Sequence, residues 1–237
     1  MAALQPAQLI AATPTIFARQ ESQAHFFRRV SHLNLQQKRL VTLSGIERCE
    51  NLRFLFAFGN RLSEIPPAAR VLPSLEILTL DENDIGEIRN LDLSARLRKL
   101  HLSLNRVRRV EGLEMCVNLE ELHLSRQRCG GERLEFDAPS MRAVGRSLRW
   151  LDISGCFLRS LADLAPCTQV RARGDDRSLS CVNICPRPIA CVQLTRLDAG
   201  DNALSDLSEL LALLHGSWGC LEQVRPEWAC YSDTGRI

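Results

Sequence analysis

One pattern, L-x-x-L-x-L-x-x-N, recurs along this chain at a near-constant interval and constrains its architecture more than any other feature. "LEILTLDENDIGEIRNL" begins at Leu75, "LRKLHLSLNRVRRVEGL" at Leu97 and "LEELHLSRQRCGGERL" at Leu119, with starts 22 residues apart. Upstream, "VSHLNLQQKRLVTLSGI" begins at Val30 and "LRFLFAFGNRLSEI" at Leu52, again 22 apart, and the step to Leu75 is 23. Downstream, "LRWLDISGCFLRSLADL" begins at Leu148 and "LTRLDAGDNALSDLSEL" at Leu194. Seven copies in register define an internal repeat.

In x-L-x-L the leucines alternate with other residues, so a short strand places them on one side and the x positions on the other. No single copy buries its leucines alone, but stacked copies share one core. The expected fold is an α/β leucine-rich-repeat solenoid: right-handed, with a parallel concave β-sheet and short 3₁₀ or helical convex segments. Aromatics make up only 5% of the chain, so leucine must supply most of that core. The asparagine closing each pattern (Asn60, Asn83, Asn105, Asn202) turns the chain out of the strand, and its amide needs partners in neighbouring turns. Lys38, Gln127 and Cys156 replace it elsewhere, which predicts an imperfect ladder there. The short connections favour 3₁₀ or single-turn helices.

The repeats also place the cysteines. Cys49, Cys116 and Cys167 each lie three residues before a repeat start, where Leu72 holds the equivalent slot, so they read as small core residues. Cys156 sits at the asparagine position, which this repeat class also fills with cysteine. The N-terminus "MAALQPAQLIAATPTIFARQ" has no basic leader, and polar residues and prolines break its apolar run, so a reducing compartment with ten thiols is expected. No run approaches the 18 or so apolar residues that cross a bilayer. A net charge of +2 gives no general argument for nucleic acid or an acidic membrane surface.

Two steps are irregular. The repeat from Leu119 takes 29 residues to reach Leu148, and its extra length carries "EFDAPSMRAVGRSL". Asp137 is the expected N-cap of a short helix over 138–146. The second irregular step follows Leu148, where the next start is due at 170 but comes at Leu194. Removing the 24 residues from Val170 to Gln193 joins "LAPCTQ" to "LTRLDAGDN" in register. Within that stretch C-x₃-C-x₅-C lacks the C-x₂-C pairs of ordinary zinc modules and has no nearby histidine. It reads as an insertion, consistent with unspliced intron, since a valine codon begins with GT and a glutamine codon can end in AG. The chain divides into an N-terminal flanking segment (1–29), a repeat domain (30–214, inserted at 170–193) and an atypical tail (215–237). The tail is expected to fit neither a further repeat nor a polar cap, leaving the last repeat partly apolar and exposed.

Function must be sought on the concave face, where outward positions line up across strands. One ladder reads Asn34, Phe56, Thr79, His101, His123, Asp152, Asp198; its neighbour reads His32, Phe54, Ile77, Lys99, Glu121, Trp150, Arg196. A third, at the strand exits, holds Gln36, Phe58, Asp81, Ser103, Ser125, Ser154 and Gly200. Phe54, Phe56, Phe58 and Ile77 form an expected exposed apolar patch, unless the flanking segment folds over Phe54 and Phe58. Trp150 offers a second anchor, and aromatic anchors beside charges are the usual make-up of a protein-binding surface. His101 and His123 fall on adjacent strands with Asp152 next in line. A metal or pH-switched site and a set of polar contact residues both fit; the second is preferred, so no metal is expected. Asp81 and Glu121 complete the candidate partner-binding set, and Lys99 with Glu121 reads as a cross-strand ion pair. No G-x-x-x-x-G-K-[ST], G-x-S-x-G or H-E-x-x-H is present, so neither an enzyme nor a cofactor is expected.

The 22-residue "L-x-x-L-x-L-x-x-N-x-I-x-x-I-x-x-L" form resembles the SDS22-like class of leucine-rich repeats. "LEELHLSRQRCGGERLEFDAPSMRAVGRSLRWLDIS", "RRVSHLNLQQKRL" and "CENLRFLFAFGN" are similar to the protein phosphatase 1 regulatory subunit 42 family, leucine-rich-repeat proteins of testis and centrosome. The resemblance covers roughly 28–169 and 194–214 and departs over 170–193 and after 214. It implies a non-catalytic scaffold that regulates the phosphatase, in the cytoplasm, at centrosomes, basal bodies or cilia. No [KR]-[VI]-x-[FW] docking motif is present, so contact with the phosphatase catalytic subunit would use the concave face. Axonemal dynein light chains share the repeat class, which implies as an alternative a structural component of ciliary microtubules, contacting tubulin or axonemal proteins.

Overall fold

The computed structural model describes residues 3–158, 196–202 and 223–225. Two short helices, α1 (Pro6–Ala11) and α2 (Gln23–Arg29), precede an eight-stranded parallel sheet. Its strands, in spatial order, are β1 (His32–Asn34), β2 (Phe54–Phe56), β3 (Ile77–Thr79), β4 (Lys99–His101), β6 (Glu121–His123), β8 (Trp150–Asp152), β9 (Arg196–Asp198) and β10 (Gln223–Arg225). This is the right-handed leucine-rich-repeat solenoid expected from the sequence. Each strand is three residues long, and in the first seven the central leucine points inward; Leu33, Leu55, Leu78, Leu100, Leu122, Leu151 and Leu197 form one buried row.

The core behind that row is continuous. Leu35, Ala57, Leu80, Leu102, Leu124, Ile153 and Ala199 supply a second buried row, and the first six repeat starts, Val30 to Leu148, a third. Cys49, Cys116 and Cys156 are buried with them, as their repeat positions require. Cys167 lies outside the described residues. Short 3₁₀ turns at Ile46–Arg48 and Pro67–Val71 carry the chain over the convex side.

The turn after each of the first seven strands of this sheet uses one residue in the left-handed region: Gln37, Gly59, Glu82, Leu104, Arg126, Gly155 and Asp201 all have φ between 52° and 66°. The asparagine follows. Asn83 accepts from Leu62 N–H and donates to the carbonyls of Ala57 and Leu80; Asn60, Asn105 and Asn202 bond likewise. The ladder is less broken than the sequence suggests. Gln127 makes the same set, because its longer chain still delivers an amide to the turn. Cys156 keeps only a donor, its thiol bonding Leu124 O.

The long repeat after Leu119 builds a second, two-stranded sheet on the convex side. β5 (Arg109–Val110) pairs with β7 (Glu135–Phe136), followed by α3 (Ala138–Val144). Asp137 is the N-cap, accepting from Ser140 N–H at 3.1 Å. The helix stops at Val144 rather than 146, with Gly145 as its C-cap, and buries Met141 and Val144.

Strand β9 pairs directly with β8, Trp150 opposite Arg196, so the sheet resumes in register when the pattern restarts at Leu194. The insertion 170–193 itself lies outside the described residues. The tail differs from expectation: β10 pairs with β9, Gln223 opposite Arg196, so residues 215–237 contain a further strand of the same sheet. Its pattern, Leu221-x-x-Val224, starts 27 residues after Leu194 and puts valine where leucine is usual, which hid it from a 22-residue count.

At the N-terminus, Leu4, Leu9, Ala12, Phe26 and Phe27 join the core. Leu4 N–H donates to Ser44 O, and Ala12 O accepts from Asn34 N–H at 2.6 Å, on the side of β1 away from β2. Glu21 ties α2 down, receiving two bonds from Arg29 and a contact from His25 at 2.6 Å. No described helix is long and apolar enough to cross a membrane.

Candidate functional site

The outward positions of the sheet form the ladders read from the sequence. Registers set His32, Phe54, Ile77, Lys99, Glu121, Trp150 and Arg196 side by side, and Asn34, Phe56, Thr79, His101, His123, Asp152 and Asp198 beside them. The exit positions are joined by backbone bonds: Gly59 N–H to Asp81 O, Glu82 N–H to Ser103 O, Leu104 N–H to Ser125 O.

Two groups of candidate residues emerge. The first is apolar: Phe54, Phe56, Phe58 and Ile77. These are half-buried and not openly exposed, which corrects the expected exposed patch. Parallel strands stand about 4.8 Å apart, so neighbouring side chains shield one another's flanks. His32 stacks on Phe54 with ring centroids 4.3 Å apart and planes 22° apart, and the Arg53 guanidinium lies over the same Phe54 ring at 5.3 Å. The flanking segment bonds the outer side of β1 through Ala12, and the connection that follows β1 through Leu4.

The second group is polar and lies further along the same face: Asp81, His101, Glu121, His123, Trp150 and Asp152. The His101 and His123 rings are 4.3 Å apart, and Trp150 meets His123 edge-on at 4.5 Å. Arg196 lies over Trp150 at 5.3 Å. Lys99 Nζ is 2.8 Å from Glu121 Oε1, the expected cross-strand pair. Asp81 accepts from Ser103 N–H, and Asp152 from Ser154 N–H and hydroxyl.

Burial shapes the electrostatics here. Burial first, then the neighbouring His123, hold His101 down to about 4, so it is neutral at pH 7. Burial pushes the Asp81 carboxyl up. Burial also opposes charge on Asp152, but His123, Ser154 and Ser125 outweigh it and keep that carboxyl below the usual value. At the strand entrances runs an alternating charge ladder, with Arg53 on Glu76 at 2.8 Å and Arg98 on Glu120 at 2.9 Å.

The sequence reading left His32, Arg53, Lys99 and Arg196 out of the site. The ladder positions of His32, Lys99 and Arg196 were legible; the stacking of His32 and the cation–π contacts of Arg53 and Arg196 depend on rotamers that a strand pattern does not specify.

No family model matches the chain, and no curated protein matches it either. Solved structures do. An internalin (inlF) from Listeria monocytogenes is 17% identical over 88% of this chain, with a TM-score of 0.61. An internalin C2 (inlC2) from the same organism is 16% identical over 93%, also at 0.61. The chain spans 58% of the first of these proteins and 91% of the second. At such identities the likeness concerns the fold alone, a leucine-rich-repeat solenoid. Its concave sheet is suited to protein–protein contact.

Proposed function

We propose that this chain is a non-catalytic scaffold that holds a protein partner across its concave sheet. The observation that carries this is the placement of two aromatic anchors, Phe56 and Trp150, on outward positions of one sheet with charged neighbours between them. Half-buried aromatics lose little side-chain entropy on binding and present large apolar area, while Glu121, Lys99 and Arg196 supply selectivity at the margins. The partner favoured by the sequence resemblance is the catalytic subunit of protein phosphatase 1, and the place a centrosome or basal body in the cytoplasm.

The test is a pull-down of the phosphatase catalytic subunit, and separately of cell-extract partners, with the full chain and with Phe56→Ala and Trp150→Ala. Loss of at least about tenfold in affinity for both variants is expected, since anchors of this type contribute about 2 kcal/mol or more. Unchanged binding in both moves the interface off the concave face. Co-sedimentation with microtubules in the absence of phosphatase binding would instead favour the axonemal reading.

A further inference from the structure

His101 and His123 are arranged as a pair of metal ligands would be. They stand opposite each other on β4 and β6, and each turns Nδ1 to an acid on its far side. His101 Nδ1 is 3.8 Å from Asp81 Oδ2, and His123 Nδ1 is 3.7 Å from Asp152 Oδ2. A carboxylate beside Nδ1 favours the tautomer protonated there, which leaves the Nε2 lone pair free. Both Nε2 atoms are buried, and neither has a hydrogen-bond partner among the described residues. Buried polar atoms are paired as a rule, so two adjacent exceptions call for an explanation. Glu121 lies beside them, two residues before His123 on the same face. Its Oε2 is 3.9 Å from His123 Nε2, while Lys99 holds Oε1.

We propose that His101, His123 and Glu121 bind a zinc-class divalent cation through two imidazole nitrogens and one carboxylate oxygen. Potential ligand atoms of the three residues lie within 4.8 Å of one another. A tetrahedral zinc ion with bonds of about 2.0–2.2 Å holds its ligand atoms roughly 3.3–3.5 Å apart, so small side-chain rotations close the site. Asp81 and Asp152 then stand behind the two rings as the carboxylates that commonly orient zinc-bound histidines. Lys99 opposes a cation, but the carboxylates of Asp81, Glu121 and Asp152 outnumber its ammonium. Three protein ligands leave a fourth position facing the concave surface, open to water or to a side chain of a bound partner. The ion needs no partner to bind, so the site stands or falls separately from the scaffold reading.

The test is cobalt and zinc titration of the full chain under reducing conditions. Cobalt is chosen because the chain has ten cysteines, and thiolate ligation gives a near-ultraviolet charge-transfer band that histidine and carboxylate ligands do not. One cobalt per chain without that band is expected, competed off by zinc. Affinity should fall at least about tenfold in His101→Ala and in His123→Ala and stay within about twofold in His32→Ala. Equal binding by wild type and by both His101→Ala and His123→Ala, or a spectrum dominated by thiolate, overturns the proposal. Should either variant lose its circular dichroism signal, the wild-type chain decides by histidine ring NMR. Two of its five histidines should shift with substoichiometric zinc, and no shift overturns the site.

Discussion

Asn105 and Gln127 share an acceptor: Leu102 O takes a hydrogen bond from Asn105 Nδ2 at 3.0 Å and from Gln127 Nε2 at 2.8 Å. The two residues hold the same position in successive repeats, and each satisfies carbonyls of its own turn and of the turn before. Neighbouring repeats are therefore stapled through polar atoms as well as through leucines, and the extra methylene of glutamine does not break the chain of contacts.

Replacing either amide with an apolar residue strips one bond from each of two buried carbonyls, which keep a neighbour's donor, and leaves one buried N–H, of Ile85 or of Val107, unpaired. Asn105→Leu and Gln127→Leu are each expected to cost about 2–4 kcal/mol, read by urea unfolding. A Gln127→Leu cost under about 0.5 kcal/mol would show that the glutamine is a spectator.

Alternation within β2 gives a second prediction. Leu55 is fully buried, whereas Phe54 and Phe56 are half-buried on the other face. Leu55→Ala should destabilise by about 2–5 kcal/mol. Phe56→Ala should cost less, roughly 1–2 kcal/mol, and be felt mainly in partner binding. Equal costs would mean that Phe56 is core and not surface.

Capping of α3 can be tested at Asp137, whose carboxylate bonds Ser140 N–H and also Arg109 Nη2 at 3.0 Å. Asp137→Ala should cost about 1 kcal/mol. Hydrogen exchange should rise over 138–144 and leave the concave strands unchanged.

Burial pushes the thiols of Cys49, Cys116 and Cys156 up to about 12 from an ordinary 9.0. At pH 8 each carries about a thousandfold less thiolate than a free cysteine. Mass spectrometry after brief alkylation should find these three unmodified in the native chain and modified in urea. Labelling of all three without denaturant would contradict their place in the core.

Hydrogen bonds from Arg29 hold the Glu21 carboxyl down to about 2. Its folded value lies below its ordinary 4.5, so the contribution is present above that pH and is lost as pH falls towards 2. Exchange over residues 16–29 should quicken across this window, and Arg29→Ala should remove the step. An unchanged profile in Arg29→Ala would assign the acid response elsewhere.

The solenoid and its ladders were legible because a 22-residue period and a two-residue alternation leave one way to bury the leucines. Asp137 was legible as a cap because a carboxylate ahead of "APSMRAV" meets the unpaired N–H groups of a first turn. Pairing of Arg109–Val110 with Glu135–Phe136 was not, since two-residue strands carry no alternation to count. Strand β10 was missed because its repeat is longer and has valine, at 224, in register with the leucine at 197. The adjacency of His101 and His123 followed from register alone, but their orphaned Nε2 atoms depend on ring orientation, which Asp81 and Asp152 decide from neighbouring repeats.

The bond from Asn34 N–H to Ala12 O has a consequence for assembly. A parallel sheet of this kind ends in an open row of amides that invites another chain to add a strand. Here Ala12, just after α1, takes the Asn34 amide of that row, so a strand added beside β1 would have to displace it. A chain trimmed of residues 1–15 is expected to leave that edge open to a second chain.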